Sequence, residues 1–144
     1  MFEATKRILF TVLLCSFLGW ERERRNKVAG LRTHILVGVG SALIVLTSYY
    51  IFDIYKSQIA IDPTRIISNI VTGIGFLCAG TIIRAGGDQV IGLTTAATLW
   101  IASGIGMAVG AGMYGVPAMV TVVVFLVLVG VRSIEEKIHD NNTK

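Results

Sequence analysis

The chain has 144 residues, 53% of them hydrophobic and 15% charged, with a formal net charge of +4 and a mean hydropathy of +0.72. That balance excludes an ordinary soluble domain and points to a protein that lives in a bilayer. A hydrocarbon core of roughly 30 Å takes about 20 apolar residues per helix, so this length accommodates about four or five passes and leaves no room for a soluble domain.

Charge, Gly and Pro bound the apolar runs, and five spans are expected, at about 4–22, 33–53, 64–84, 93–113 and 115–132. The first is short, and Lys6 and Arg7 must snorkel toward the headgroups for it to cross. It has the basic start of a signal peptide, but GWERE follows in place of a small-x-small cleavage site, which predicts a retained helix.

The corner after it, residues 19–34, reads GWERERRNKVAGLRTH and carries seven charges. If the first helix continues, Glu21 stands four residues before Arg25 and Glu23 four before Lys27, the favourable acid-first order. Glu21 borders the apolar run and Arg32 opens the second span, so these two are expected to face each other at the membrane boundary. A charge near hydrocarbon needs a partner. Arg24, Arg25 and Lys27 read as solvated charges of a loop.

Asp62 followed by Pro63 is a start signal for the third helix. The third and fourth helices are joined through AGGDQVIG, where Gly86 and Gly87 suit a hairpin, so the two are expected to be antiparallel neighbours. Along the fourth helix Thr94, Thr98, Ala102, Gly106 and Gly110 form a small-residue row, and the third offers Thr72, Gly73, Gly75, Ala79 and Gly80. These two helices are therefore expected to pack closely as the core, shared with a second copy. The fifth helix, bulky all round, reads as lipid-facing or peripheral, and 133–144 reads as a short polar tail that forms a helical stub.

Nine of the 13 Lys and Arg fall on one side if the N-terminus is outside, which sets the corner, Arg84 and the C-terminus in the cytoplasm. The expected fold is thus all-α, a membrane bundle of about five helices.

Asn69 and Thr72 read first as helix-to-helix hydrogen-bonding groups, and Thr94, Thr95 and Thr98 cluster where a helix N-terminus could receive an acid such as Glu21. Cys15 and Cys78 read as small buried hydrophobes, and neither His34 nor His139 has the company of a metal or catalytic site. No catalytic constellation is present, so an enzyme is not expected. Asp and Glu stand only at span ends, which gives a carboxylate-lined cation path little support.

The blocks GWERERRNKVAGLRTH, DPTRIISNIVTGIGFLCAGTIIR and GLTTAATLWIASGIGMAVGAG resemble, in order and spacing, the signature segments of the MgtC/SapB family of bacterial inner-membrane proteins, over residues 7–115. By motif match Arg7, Glu21, Arg22, Glu23, Gly30, Arg32, Thr33, Asp62, Arg65, Gly73, Gly75, Gly80, Gly92, Thr94, Thr95 and Trp100 fall at signature positions. The resemblance implies a multi-pass plasma-membrane protein with its C-terminus inside. It implies a link to low-magnesium growth and, in pathogens, to virulence, through ion homeostasis and a partner such as F-type ATP synthase. Asn69 stands where the family usually has Gln, and Cys78 where it usually has Gly. Many members continue into a cytoplasmic C-terminal domain, whereas this chain ends at Lys144.

The two readings converge on one membrane face as a docking or ion site: Glu21, Arg22, Glu23, Arg32, Thr33, Arg84, Thr94, Thr95 and Thr98, with Asn69 deeper in the third helix. The expected partners are the bilayer, a second copy as a dimer and a membrane protein, and not nucleic acid. No cofactor is expected beyond a weak interaction with Mg²⁺. The alternative is a transporter or channel for Mg²⁺ or another cation.

Overall fold

A computed structural model describes the backbone of residues 1–57, 62–84 and 90–142, and the side chains of all of these except 83–84 and 131–142. Five helices carry the described fold: α1 Phe2–Arg24, α2 Leu31–Tyr55, α3 Thr64–Thr81, α4 Leu93–Gly110 and α5 Gly115–Asn142. Between α3 and α4 lies an antiparallel ribbon of two-residue strands, β1 Ile83–Arg84 and β2 Val90–Ile91, paired Ile83 to Ile91 and Arg84 to Val90. The Gly86 and Gly87 hairpin tip lies outside the described residues. Among the described residues two helices, α2 and α4, are by themselves long and apolar enough to cross a membrane.

Helix ends follow from local chemistry. Asn26 takes φ +52 beyond α1, and the amides of Asn26 and Lys27 donate to the carbonyls of Glu23 and Arg22 at 2.9 and 3.1 Å. This is a Schellman stop with Asn in the left-handed position. Gly112, at φ +94, ends α4 the same way, its amide bonding Val109 and that of Met113 bonding Ala108. α4 therefore stops three residues short of the expected 113.

α3 also stops early, at Thr81 instead of 84, because Ile82 turns extended to enter the ribbon. Its start behaves as expected although the helix proper begins one residue later: the Asp62 carboxylate accepts the Thr64 amide at 2.9 Å and the Thr64 hydroxyl at 2.6 Å. In α5, Pro117 sits in the first turn, where its missing N–H leaves no bond unmade. α5 continues unbroken through the polar tail to Asn142.

α4 is the centre of the bundle and touches every other helix. Its small-residue row faces α2, not α3. A Cβ on Gly106 would collide with the Gly38 carbonyl, and one on Gly110 would lie 2.9 Å from the Ala42 carbonyl oxygen. The contacts His34 to Thr98, Gly38 to Gly106 and Ala42 to Gly110 advance together along both helices, so α2 and α4 run parallel at near-backbone contact. α1 lies antiparallel across the same seam, with Cys15 against Gly38 and Gly19 against Leu31. Leu14, Cys15 and Leu18 of α1 join Ala102, Ile105 and Val109 of α4 in the main apolar core.

The expected α3 to α4 core is corrected accordingly. α3 buries only one narrow line, Ile70, Ile74 and Cys78, of which Ile74 and Cys78 cluster with Ala96 and Leu99. Gly73, Gly75 and Gly80 meet nothing within 4 Å of a would-be Cβ, and Ala79 is exposed. α4 has one small face, and α2 brings the matching row of small residues to it, so α3 is left at the edge. Ser48 ties its start to α2 by donating to the Pro63 carbonyl at 2.6 Å. α5 packs one face on α1 and α4 and exposes Met119, Val122, Val123, Leu126 and Val127.

Candidate functional site

The alternating helix directions gather the C-terminal end of α1 and the N-terminal ends of α2 and α4 at one end of the bundle. There Glu21 is buried, its residue exposure 3%, beside Arg22 at 4%. Arg22 Nη1 lies 3.5 Å from Glu21 Oε2, and Arg25 pairs with Glu21 Oε1 one turn on. Neither contact has hydrogen-bond geometry, so charge, not directed bonding, compensates the buried carboxylate. The expected Glu21 to Arg25 spacing is thus realised as an ion pair.

Glu23 takes a different role from the one its spacing indicates. The left-handed turn at Asn26 ends the helix before Lys27 can fall one turn below Glu23. The Glu23 carboxylate instead crosses the corner and accepts the Leu31 amide at 2.6 Å. An anion at the start of α2 satisfies a free N–H and complements the helix dipole. The backbone of Gly30 passes so close that any Cβ would lie 2.6 Å from this carboxylate, which explains a glycine at that step.

Behind the corner stands His34, wholly buried. Its Nδ1 lies 2.8 Å from the Gly30 carbonyl and its Nε2 3.1 Å from the Thr98 hydroxyl, which also reaches the Thr95 carbonyl at 2.9 Å. Sequence reasoning passed over His34 for want of metal-ligand company. The available signal was its place at the head of the row His34, Gly38, Ala42, which repeats every fourth residue like the α4 row it meets.

Deeper in the same seam the Ser41 and Ser103 hydroxyls lie 2.8 Å apart. At the opposite end Arg7 Nη1 donates to the Gly110 carbonyl at 2.8 Å, a cation at the C-terminus of α4.

The candidate residues therefore divide. Glu21, Arg22, Thr95 and Thr98 belong to the buried α1, α2, α4 cluster. Arg32 and Asn69, both exposed, line with Thr33 and Gly73 a cleft of about 620 Å³ between α2 and α3. Arg32 is not among the ion-pair partners of Glu21. Its place on α2 turns it toward α3, away from α1. Thr94 is exposed at the first turn of α4, and the Arg84 side chain lies outside the described residues. Among the described residues no group of three or more His, Cys, Asp or Glu could hold a metal ion.

The charged corner and the glycine-lined seam fall within one continuous match, residues 8–137, to the MgtC family model. The chain belongs to the MgtC family. Among MgtC-family relatives, the chain is 43% identical over 124 residues to "Putative magnesium transporter YhiD" of Escherichia coli (strain K12), covering 85% of this chain and 57% of that protein. It is 42% identical over 105 residues to protein SapB of Bacillus subtilis (strain 168), covering 71% and 45%. It is 37% identical over 139 residues to protein MgtC of Salmonella typhimurium (strain LT2), covering 96% and 57%. The chain spans about half the length of these curated relatives. No solved structure matches it.

Proposed function

We propose that this MgtC-family chain is a multi-pass protein of the bacterial plasma membrane that serves magnesium and ion homeostasis without catalysis, by regulating a membrane partner such as F-type ATP synthase. All five helices span, with the N-terminus outside and the C-terminus inside. In a pathogen the same activity would serve adaptation to low magnesium during infection. Magnesium in the name of the E. coli relative supports the ionic side of this reading.

The observation that carries the regulatory side is the closed α2 to α4 seam, where Gly106 lies against the Gly38 carbonyl. α3 and α4 run as unbroken helices through both GIG segments. Unwound backbone inside a bilayer is tolerated where it lines a cavity, and carbonyl-lined paths use it. Here both segments stay helical, and Gly106 serves helix contact instead. The exposed Arg32 and Asn69 cleft is the docking surface in this reading, and the open small face of α3 meets a second copy of the chain, since small residues and amides favour helix association in lipid.

The second reading, a cation transporter or channel, has the name of the E. coli relative in its favour. Purified protein in liposomes loaded with a magnesium-sensitive dye separates the two. No influx above empty liposomes, from protein shown to be folded and inserted, is expected. Saturable influx that Arg32→Ala or Asn69→Ala changes would replace regulation by transport.

A further inference from the structure

Between α1 and α5 runs an apolar groove of about 750 Å³, open on its outer side and walled by Leu13, Phe17, Trp20, Val122 and Leu126. Its two hydroxyls are already spent on their own helices: Ser16 donates to Val12 at 2.6 Å and Thr121 to Pro117 at 2.8 Å. The groove thus presents an almost wholly apolar lining. Along α1 it extends from Leu13 to Trp20, roughly 10 Å of helical rise, which fits within the approximately 15 Å depth of one leaflet.

A second cavity of about 670 Å³ shares Trp20 and Phe125 with the groove and is lined by Arg24, Arg25, Asn26 and Glu21. Glu21 is engaged by Arg22 and Arg25, so among the described residues the lining keeps a positive balance. The Arg24 guanidinium lies 5.4 Å from the Trp20 ring centroid, held over the junction of the two cavities. Asn26, in the left-handed turn after α1, lines the same cavity.

We propose that α1 and α5 hold one anionic phospholipid of the cytoplasmic leaflet, with an acyl chain in the groove and the phosphate on Arg24 and Arg25. A hydrocarbon slot that adjoins, at headgroup depth, a cavity lined by two guanidinium groups has the charge complement of such a lipid. Anionic lipids are those the cytoplasmic leaflet supplies, and basic pockets between membrane helices bind their headgroups. Arg24 and Arg25, which read from sequence as solvated loop charges, thereby acquire a ligand. The inference goes beyond the regulatory role and rests only on the membrane embedding and the N-outside orientation of that reading.

The test uses the full chain with Trp100→Phe, so that Trp20 is its tryptophan, in phosphatidylcholine vesicles carrying small, equal fractions of bromine-labelled phosphatidylglycerol or bromine-labelled phosphatidylcholine. Several-fold stronger quenching of Trp20 by the anionic lipid is expected. Arg24→Gln should abolish that preference, and Val122→Phe, which fills the groove from an exposed position, should reduce quenching by both lipids. Equal quenching by the two lipids in the parent protein, a preference unaltered by Arg24→Gln, or quenching unaltered by Val122→Phe would each overturn the inference. Flotation of the same vesicles after an alkaline wash keeps the two ideas apart. Protein that fails to float refutes membrane embedding, and protein that floats without lipid preference refutes the lipid site alone.

Discussion

The imidazole of His34 bridges to the hydroxyl of Thr98 at 3.1 Å, and this bond joins α2 to α4 at the end of the bundle where the charges gather. A carbonyl only accepts, so Nδ1 carries the proton donated to Gly30, and in the neutral ring Nε2 accepts from Thr98. The single hydroxyl proton is then shared between Nε2 and the Thr95 carbonyl. Thr98→Val keeps the shape and leaves the ring nitrogen unpaired in a buried site. We expect it to lower stability by about 1–3 kcal/mol, and Thr98→Ser to restore most of that, both read from thermal unfolding of protein in lipid.

The near-backbone approach of α2 and α4 yields a paired prediction. Gly106→Ala drives a methyl group into the Gly38 carbonyl, whereas Gly104→Ala points into open space. Overpacking of this kind costs about 1–3 kcal/mol, so the first variant should unfold at lower temperature and the second should not. Equal behaviour would mean that α2 and α4 do not meet along Gly106.

Burial changes what Glu21 variants test. Glu21→Ala removes a carboxylate whose side chain is 4% exposed and leaves the buried Arg22 guanidinium without it. Breaking a buried pair in this way costs about 3–5 kcal/mol, so lost activity in this variant would report lost folding. Arg32→Ala, at an exposed position, should leave unfolding unchanged and abolish rescue of a low-magnesium growth defect. Full rescue by Arg32→Ala would remove the α2 to α3 cleft from the proposed function.

Arg7 spans 103 residues to reach the Gly110 carbonyl. A charged hydrogen bond of this kind contributes about 1.5–3 kcal/mol, and Arg7→Met should lose that amount while its stem still packs. Hydrogen exchange should quicken at the α4 C-terminus first, near Gly112, whose would-be Cβ lies 3.1 Å from the Arg7 guanidinium.

At the start of α3 the bonds from the hydroxyl and amide of Thr64 hold the Asp62 carboxyl below its ordinary pKa. A lowered pKa means that the ionised form stabilises the fold. The contribution is present above the unfolded carboxylate value and fades as pH falls through the lowered one. The stability gap between the parent and Asp62→Ala should therefore be constant near neutrality and close only in strong acid. The group is exposed, so the gap should be small.

Five helices with these approximate limits, the Asp62 cap and the Glu21 to Arg25 pair were legible because each depends on residues within a turn or two along the chain. Composition likewise decided the apolar character, since hydrocarbon excludes polar runs whatever the packing. The partner of the α4 small row was not legible. α2 and α3 both carry glycines at suitable spacing, and only the three-dimensional arrangement brings Gly38 and Ala42 to Gly106 and Gly110. Sequence adjacency favoured α3, the hairpin neighbour, but α3 meets α4 through Ile74 and Cys78 and not through its glycines.

Glu23 and His34 illustrate the same division at the candidate site. Their residue types and spacing are local facts, and spacing alone assigned Glu23 to Lys27 and left His34 without a role. A left-handed turn at Asn26 redirects the first to the Leu31 amide, and the parallel course of α2 and α4 delivers Thr98 to the second. Local sequence determined where helices form and which faces are small or charged, because hydrogen bonding and side-chain periodicity act within a few residues. Tertiary structure decided which faces meet, because contact between distant helices depends on the mutual fit of all of them.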